Sequence, residues 1–112
     1  MGATETIIVS AWNRGGHHAS GGGGYGLRMS KADRDRLIQR GWRTVTVVLP
    51  DGTSATASVD GKAFWSECPE LRSKYIGRWM RANDLAPWPK GSPPRLELTI
   101  IAPGRFSLGR LR

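Results

Sequence analysis

The chain has 112 residues, with 17 Lys plus Arg against 9 Asp plus Glu and a net charge of +8. That length supports a single core and hence one domain over 1–112, and the cation excess favours a polyanionic partner. No apolar run approaches the roughly 18 residues of a membrane span, and the N-terminus lacks the basic and apolar segments of a secretory signal. One cysteine, Cys68, cannot close an internal disulfide. No membrane role is therefore expected, and the cytoplasm (the nucleoid, in a bacterium) is the expected setting.

Glu5 to Trp12 reads as a strand, with Ile7 and Val9 on one face and Ile8 on the other. Asn13 to Gly24 follows as an arm. It holds almost no apolar side chain, and its glycines at 21–24 raise the cost of ordering it. Such composition is flexible. Sequence of ordered character flanks it on both sides, so it is an internal arm and not a tail. Tyr25 to Met29 alternates as a short second strand. Ser30 then suits an N-cap, with Asp33 three residues on, for a helix through Leu37 and Ile38 that stops at Gly41.

Trp42 to Leu49 is the clearest strand, β-branched from Thr44 to Val48. Pro50-Asp51-Gly52 makes a turn, and Thr53 to Val59 returns as the second half of a hairpin. Asp60 to Glu67 reads as a polar connection. Pro69 suits the first turn of a second helix, which would line up Leu71, Tyr75 and Trp79, with Ile76 and Met80 beside them, and end near Asn83. Ala86 to Pro94 is a proline-rich loop. Arg95 to Ile101 is a strand, Pro103-Gly104 a turn, and Phe106 to Leu108 a last short strand before a tail at 109–112. The expected fold is mainly β with two short helices: a small open barrel whose ends the helices cover.

This order of elements resembles the DNA-binding pseudobarrel, the fold of plant B-three transcription-factor domains and of the effector domains of some restriction endonucleases. Gly26 to Lys31 with its helix looks like the family's strand-to-helix segment. Trp42 to Val59 is similar to its central hairpin, and Ile76 to Leu85 with Arg95 to Leu108 to its second helix and closing strands. The loop after the second helix is longer and richer in proline than in the plant members.

The resemblance implies a seven-stranded open barrel that grips the major groove of duplex DNA with two arms and carries no catalysis or cofactor. It places the first arm between the first two strands and the second before the second helix, at Gly61 to Lys74. Carried over by position, the first arm offers Asn13, Arg14, His17, His18 and Ser20, and the second Lys62, Ser66, Arg72, Ser73 and Lys74. These residue types suit DNA recognition, since Arg forks onto guanine and Asn onto adenine, while Lys and Ser suit phosphate.

The same residues bear on other chemistries. His17-His18 has too few companions for zinc, which needs three or four ligands; DNA contact and a plain solvated loop are the readings that remain. The glycines at 21–24 lack the Lys-Ser/Thr pair and following helix of a phosphate-binding loop. Asp51 with Asp60 and Lys62 spells a loose nuclease pattern, but the first lies at the tip of a hairpin and the others at its far end, roughly 20 Å away along extended chain. Cys68 beside Pro69 reads as structural. Trp65 and Trp88, in connections, are the tryptophans suited to stacking on single-stranded bases. Arg34, Arg36, Arg40 and Arg43 form either a phosphate-facing surface or a solvated face among Asp33 and Asp35. Two further function classes follow: a protein-interaction module within a restriction or regulatory complex, and a binder of RNA or single strands.

Overall fold

The computed structural model describes residues 5–14, 24–67 and 69–111. Ten elements follow in order: β1 (Thr6–Asn13), β2 (Tyr25–Arg28), α1 (Lys31–Leu37), β3 (Thr44–Val48), β4 (Ser54–Ser58), α2 (Lys62–Ser66), β5 (Glu70–Arg72), α3 (Lys74–Ala82), β6 (Arg95–Ala102) and β7 (Arg105–Arg110). The seven strands form one sheet in the order β4-β3-β7-β6-β1-β2-β5. Every neighbouring pair is antiparallel except β3 with β7. The sheet curls into a barrel until its two edge strands, β4 and β5, approach each other without pairing.

Alternation builds the interior. Ile7, Val9 and Ala11 of β1, Leu27 of β2, Val45 and Val47 of β3, Ala55 and Ala57 of β4, and Leu96 and Leu98 of β6 are all buried, while their neighbours point outward. The β3–β4 turn is held by Leu49 and Thr53, whose backbones pair at 2.8 Å, and by the Asp51 Oδ1 that accepts from the Thr53 N–H at 2.9 Å. That backbone hydrogen bond, with one from the Thr53 hydroxyl, holds the exposed Asp51 carboxyl below its ordinary range. Gly52 closes the turn at φ +91°, a conformation that side chains oppose. Leu49 and Thr53 bond each other, as do Arg43 and Val59. By alternation, Ser54, Thr56 and Ser58 aim their peptide groups away from β3, toward the seam.

The structure differs from the sequence expectation between residues 60 and 74. Among the described residues there are three short helices, not two. Lys62–Ser66, expected as a connection, is helical because tertiary partners complete it: Phe64 is buried, the Trp65 indole donates to the Val59 carbonyl at 2.8 Å, and the buried Arg34 guanidinium donates to the Phe64 and Trp65 carbonyls at 3.0 and 2.9 Å. Pro69 does not open a helix. Glu70–Arg72 pairs with β2, so Leu71 is buried as a strand residue, and α3 starts only at Lys74 with Ser73 as its N-cap. The buried stripe of α3 is Ile76, Trp79 and Met80; Tyr75 lies outside it, 42% exposed. Helix α1 ends at Leu37, short of Gly41. Strand β7 extends to Arg110, so Gly109 and Arg110 belong to the sheet and not to a tail.

Candidate nucleic-acid interface

The two ends of the predicted first arm are joined at its base. β1 and β2 pair up to Asn13 opposite Tyr25, and the Arg14 N–H then donates to the Gly24 carbonyl at 3.0 Å. Asn13 is half-buried at the end of β1 and Arg14 is exposed. His17, His18 and Ser20 lie outside the described residues, as does Cys68.

The predicted second arm is divided among three elements. Lys62 and Ser66 are exposed on α2, where the Ser66 hydroxyl donates to the Lys62 carbonyl at 2.8 Å. Arg72 ends β5, Ser73 caps α3 by accepting from the Tyr75 N–H at 3.2 Å, and Lys74 is the first residue of that helix.

The pairing register explains how these residues meet. On the outer face of the β1–β2–β5 ribbon, Trp12, Gly26 and Arg72 form one row, and Ser10, Arg28 and Glu70 the next. Gly26 offers no side chain, and there is no room for one: a Cβ there would sit 2.5 Å from the Leu71 carbonyl oxygen. The Arg72 guanidinium reaches across this gap and lies 4.4 Å from the centre of the Trp12 ring. A cation over an indole face is worth roughly 0.5–2 kcal/mol, depending on desolvation.

In the second row, the Glu70 carboxylate accepts from both flanking arginines. Arg28 donates from Nη2 at 2.5 Å and Nε at 3.2 Å, and Arg72 from Nη2 at 2.7 Å. The Glu70 side chain is 3% exposed, against 48% for Arg28 and 56% for Arg72. Burial pushes the Glu70 carboxyl up. The hydrogen bonds from Arg72 and Arg28, with their positive charges, outweigh that and hold it below the ordinary range.

One cavity of about 210 Å³ joins the two predicted arms. Trp12, Arg14 and Gly24 line it from the first side, and Arg72, Ser73 and Lys74 from the second. Arg14, Arg72, Ser73 and Lys74 are thus brought together. A second cavity, about 170 Å³, opens at the seam beside Ser58, Gly61 and Glu70 and also has Arg72 on its rim. Lys62 and Ser66 line neither. Trp12, Gly26, Arg28 and Glu70 are additions to the residues predicted for the site. The alternation that turns Ile7 and Val9 inward also turns Trp12 outward, so Trp12 was legible; Gly26, Arg28 and Glu70 needed the β2–β5 pairing, where the sequence suggests a helix start.

The basic run after β2 separates. Arg34 is buried and bonds Asp35 and α2, Arg36 pairs with Asp33 and Glu5, and Arg40 lies 4.4 Å from the centre of the Trp65 ring. Only Arg43 stands exposed with no such contact among the described residues. Trp65 is also engaged by Val59, and Trp88 meets the Tyr25 ring edge-on at 5.8 Å. Among the described residues, no three His, Cys, Asp or Glu converge on a point, and no helix is long and apolar enough to cross a membrane. No protein-family model, curated protein or solved structure matches the chain.

Proposed function

We propose that this protein binds double-stranded DNA, entering the major groove with two arms held by the barrel, and that it performs no catalysis of its own. The observation that supports this most directly is the shared cavity: Arg14 at the root of the first arm lies with Arg72 and Lys74 of the second. Two cationic prongs rooted on one side can straddle a groove, whereas prongs on opposite sides cannot. The seven-stranded open barrel, with the ends of residues 14–24 meeting beside β1 and β2, supports this reading. On this reading the Lys and Arg supply salt-dependent docking through counterion release, and the arms supply base contacts, each good bidentate one adding roughly 1–3 kcal/mol of discrimination. The setting would be transcriptional regulation or restriction, in the cytoplasm or nucleoid.

A mobility shift with random duplex, single-stranded DNA and RNA probes at two salt concentrations tests it. Duplex binding that falls steeply with salt is expected, with Arg14→Ala plus Arg72→Ala weakening it and Arg110→Ala changing it little. Preference for single strands or RNA, or no binding at low salt, would overturn the proposal; the last result would leave a protein-interaction module.

A further inference from the structure

We infer that the cavity between Arg14, Arg72 and Lys74 is an anchor for one backbone phosphate, and that Glu70 is the residue that positions Arg72 for it. The inference rests on the duplex-DNA reading and assigns the interface a division of labour: the roots of the arms fix the helix, and only the parts beyond them read bases.

Three observations carry it. First, the charge is one-sided. Arg14, Arg72 and Lys74 line the cavity with the Ser73 hydroxyl beside them and no carboxylate lines it. Glu70 answers Arg72 in part and the Lys74 ammonium lies 5.5 Å from the centre of the Tyr75 ring, so a neutral base edge leaves a positive excess here that a phosphodiester, accepting from all three, offsets. Second, Arg72 is immobilised. Its ring-facing side lies on Trp12 and one Nη2 proton goes to Glu70, while its remaining N–H groups stay available at 56% side-chain exposure. A guanidinium fixed in this way is preorganised for one oxygen position and unable to follow different bases. Third, the cavity is at the base of the arm, at the level where Arg14 bonds Gly24. The major groove is roughly 8.5 Å deep, with base edges on its floor and phosphates along its rims. A prong that enters a groove meets the rim at its root.

The Glu70 assignment gives a test with an unusual sign. Glu70→Gln raises the net charge by one. A merely basic surface would bind duplex DNA more tightly after that change. A positioned anchor binds less tightly, because Arg72 loses the partner that aims it.

Binding would be measured across a salt series with short duplexes of two unrelated sequences, for the wild-type chain and for Arg72→Gln, Lys74→Gln, Glu70→Gln and Arg105→Gln. Arg105 is exposed at the start of β7, three strands from β2 in the sheet. Arg72→Gln and Lys74→Gln should each weaken binding equally on both sequences and flatten the slope of log affinity against log salt in part, and the two combined should flatten it by up to about 0.9, a loss of up to roughly eightfold at 0.1 M salt. Glu70→Gln should weaken binding while a thermal melt shows it folded. If that variant does not fold, Trp12→Phe, which keeps an aromatic face, should bind like wild type and Trp12→Leu should bind less.

Tighter binding by Glu70→Gln, or Trp12→Leu equal to wild type, would overturn the positioning. A slope change from Arg105→Gln as large as that from Arg72→Gln would overturn the anchor, as would Arg72→Gln altering the preference between the two sequences at unchanged slope. The last two outcomes leave DNA binding standing. Absence of any duplex binding by the wild-type chain removes the DNA reading and the anchor together.

Discussion

Gly26→Ala should destabilise the fold, against the sign such a change has where the backbone is permissive. In an open site, adding a Cβ restricts the unfolded chain and stabilises by roughly 0.4–1 kcal/mol. At Gly26 the new Cβ would lie 2.5 Å from the Leu71 carbonyl oxygen and 3.0 Å from the Arg72 Cα, both backbone atoms that no rotamer change can move. Ordinary contact begins at 3.4 Å, so β5 must retreat by nearly an ångström. The bonds at the two ends of this ladder, from the Met29 N–H to the Pro69 carbonyl at 3.1 Å and from the Ser73 N–H to the Tyr25 carbonyl at 3.4 Å, are already long and would be lost. Only three residue pairs join β5 to β2, and losing two bonds at about 1 kcal/mol each outweighs the entropic gain, for a net loss of ~1–3 kcal/mol. Urea unfolding followed by circular dichroism measures it, with Gly109→Ala as the control because nothing lies within 4 Å of a Cβ there. A Gly26→Ala protein as stable as the control would refute the argument that this glycine is required by the close approach of β5.

Two further outcomes follow from the buried ionic contacts. Glu70 is held below its ordinary range, so its contribution to stability is complete above the unfolded value of 4.5 and fades as pH falls through the lower folded value. The difference in melting temperature between wild type and Glu70→Gln should thus be constant near neutrality and shrink in acid below about pH 4.5; a gap that widens in acid would contradict the network. Arg34→Ala strips α2 of the donors to its Phe64 and Trp65 carbonyls, and should cost about 2–4 kcal/mol in urea unfolding. A loss no larger than that of an exposed arginine such as Arg43 would mean that α2 holds its shape unaided.

The strands were legible because period-two burial is written locally. Ile7-Val9-Ala11, Val45-Val47 and Leu96-Leu98 identify their inner faces with no knowledge of neighbours. The stretch from Lys62 to Arg72 was not legible, because what shapes it comes from elsewhere in the chain. Arg34 completes α2 from thirty residues upstream, and β2 captures Leu71 and Arg72 into a strand that propensity assigns to a helix. The same capture made part of the site visible and hid the rest. Arg14, Arg72, Ser73 and Lys74 could be named as arm residues through the family resemblance, but nothing in the sequence singles out Glu70. Its place between two arginines exists only once β2 and β5 lie side by side.

The gap between β4 and β5 gives this barrel a mechanical character that a closed one lacks. A complete hoop resists widening at every point, since any increase in girth must stretch ladders all round it. Here the girth can adjust at one place with no ladder broken, because Ser54, Thr56 and Ser58 have no strand on that side. Arg72 sits on one lip of this clasp and α2 spans its two sides. The width of the seam is therefore set by side-chain packing and by α2, not by a backbone ladder.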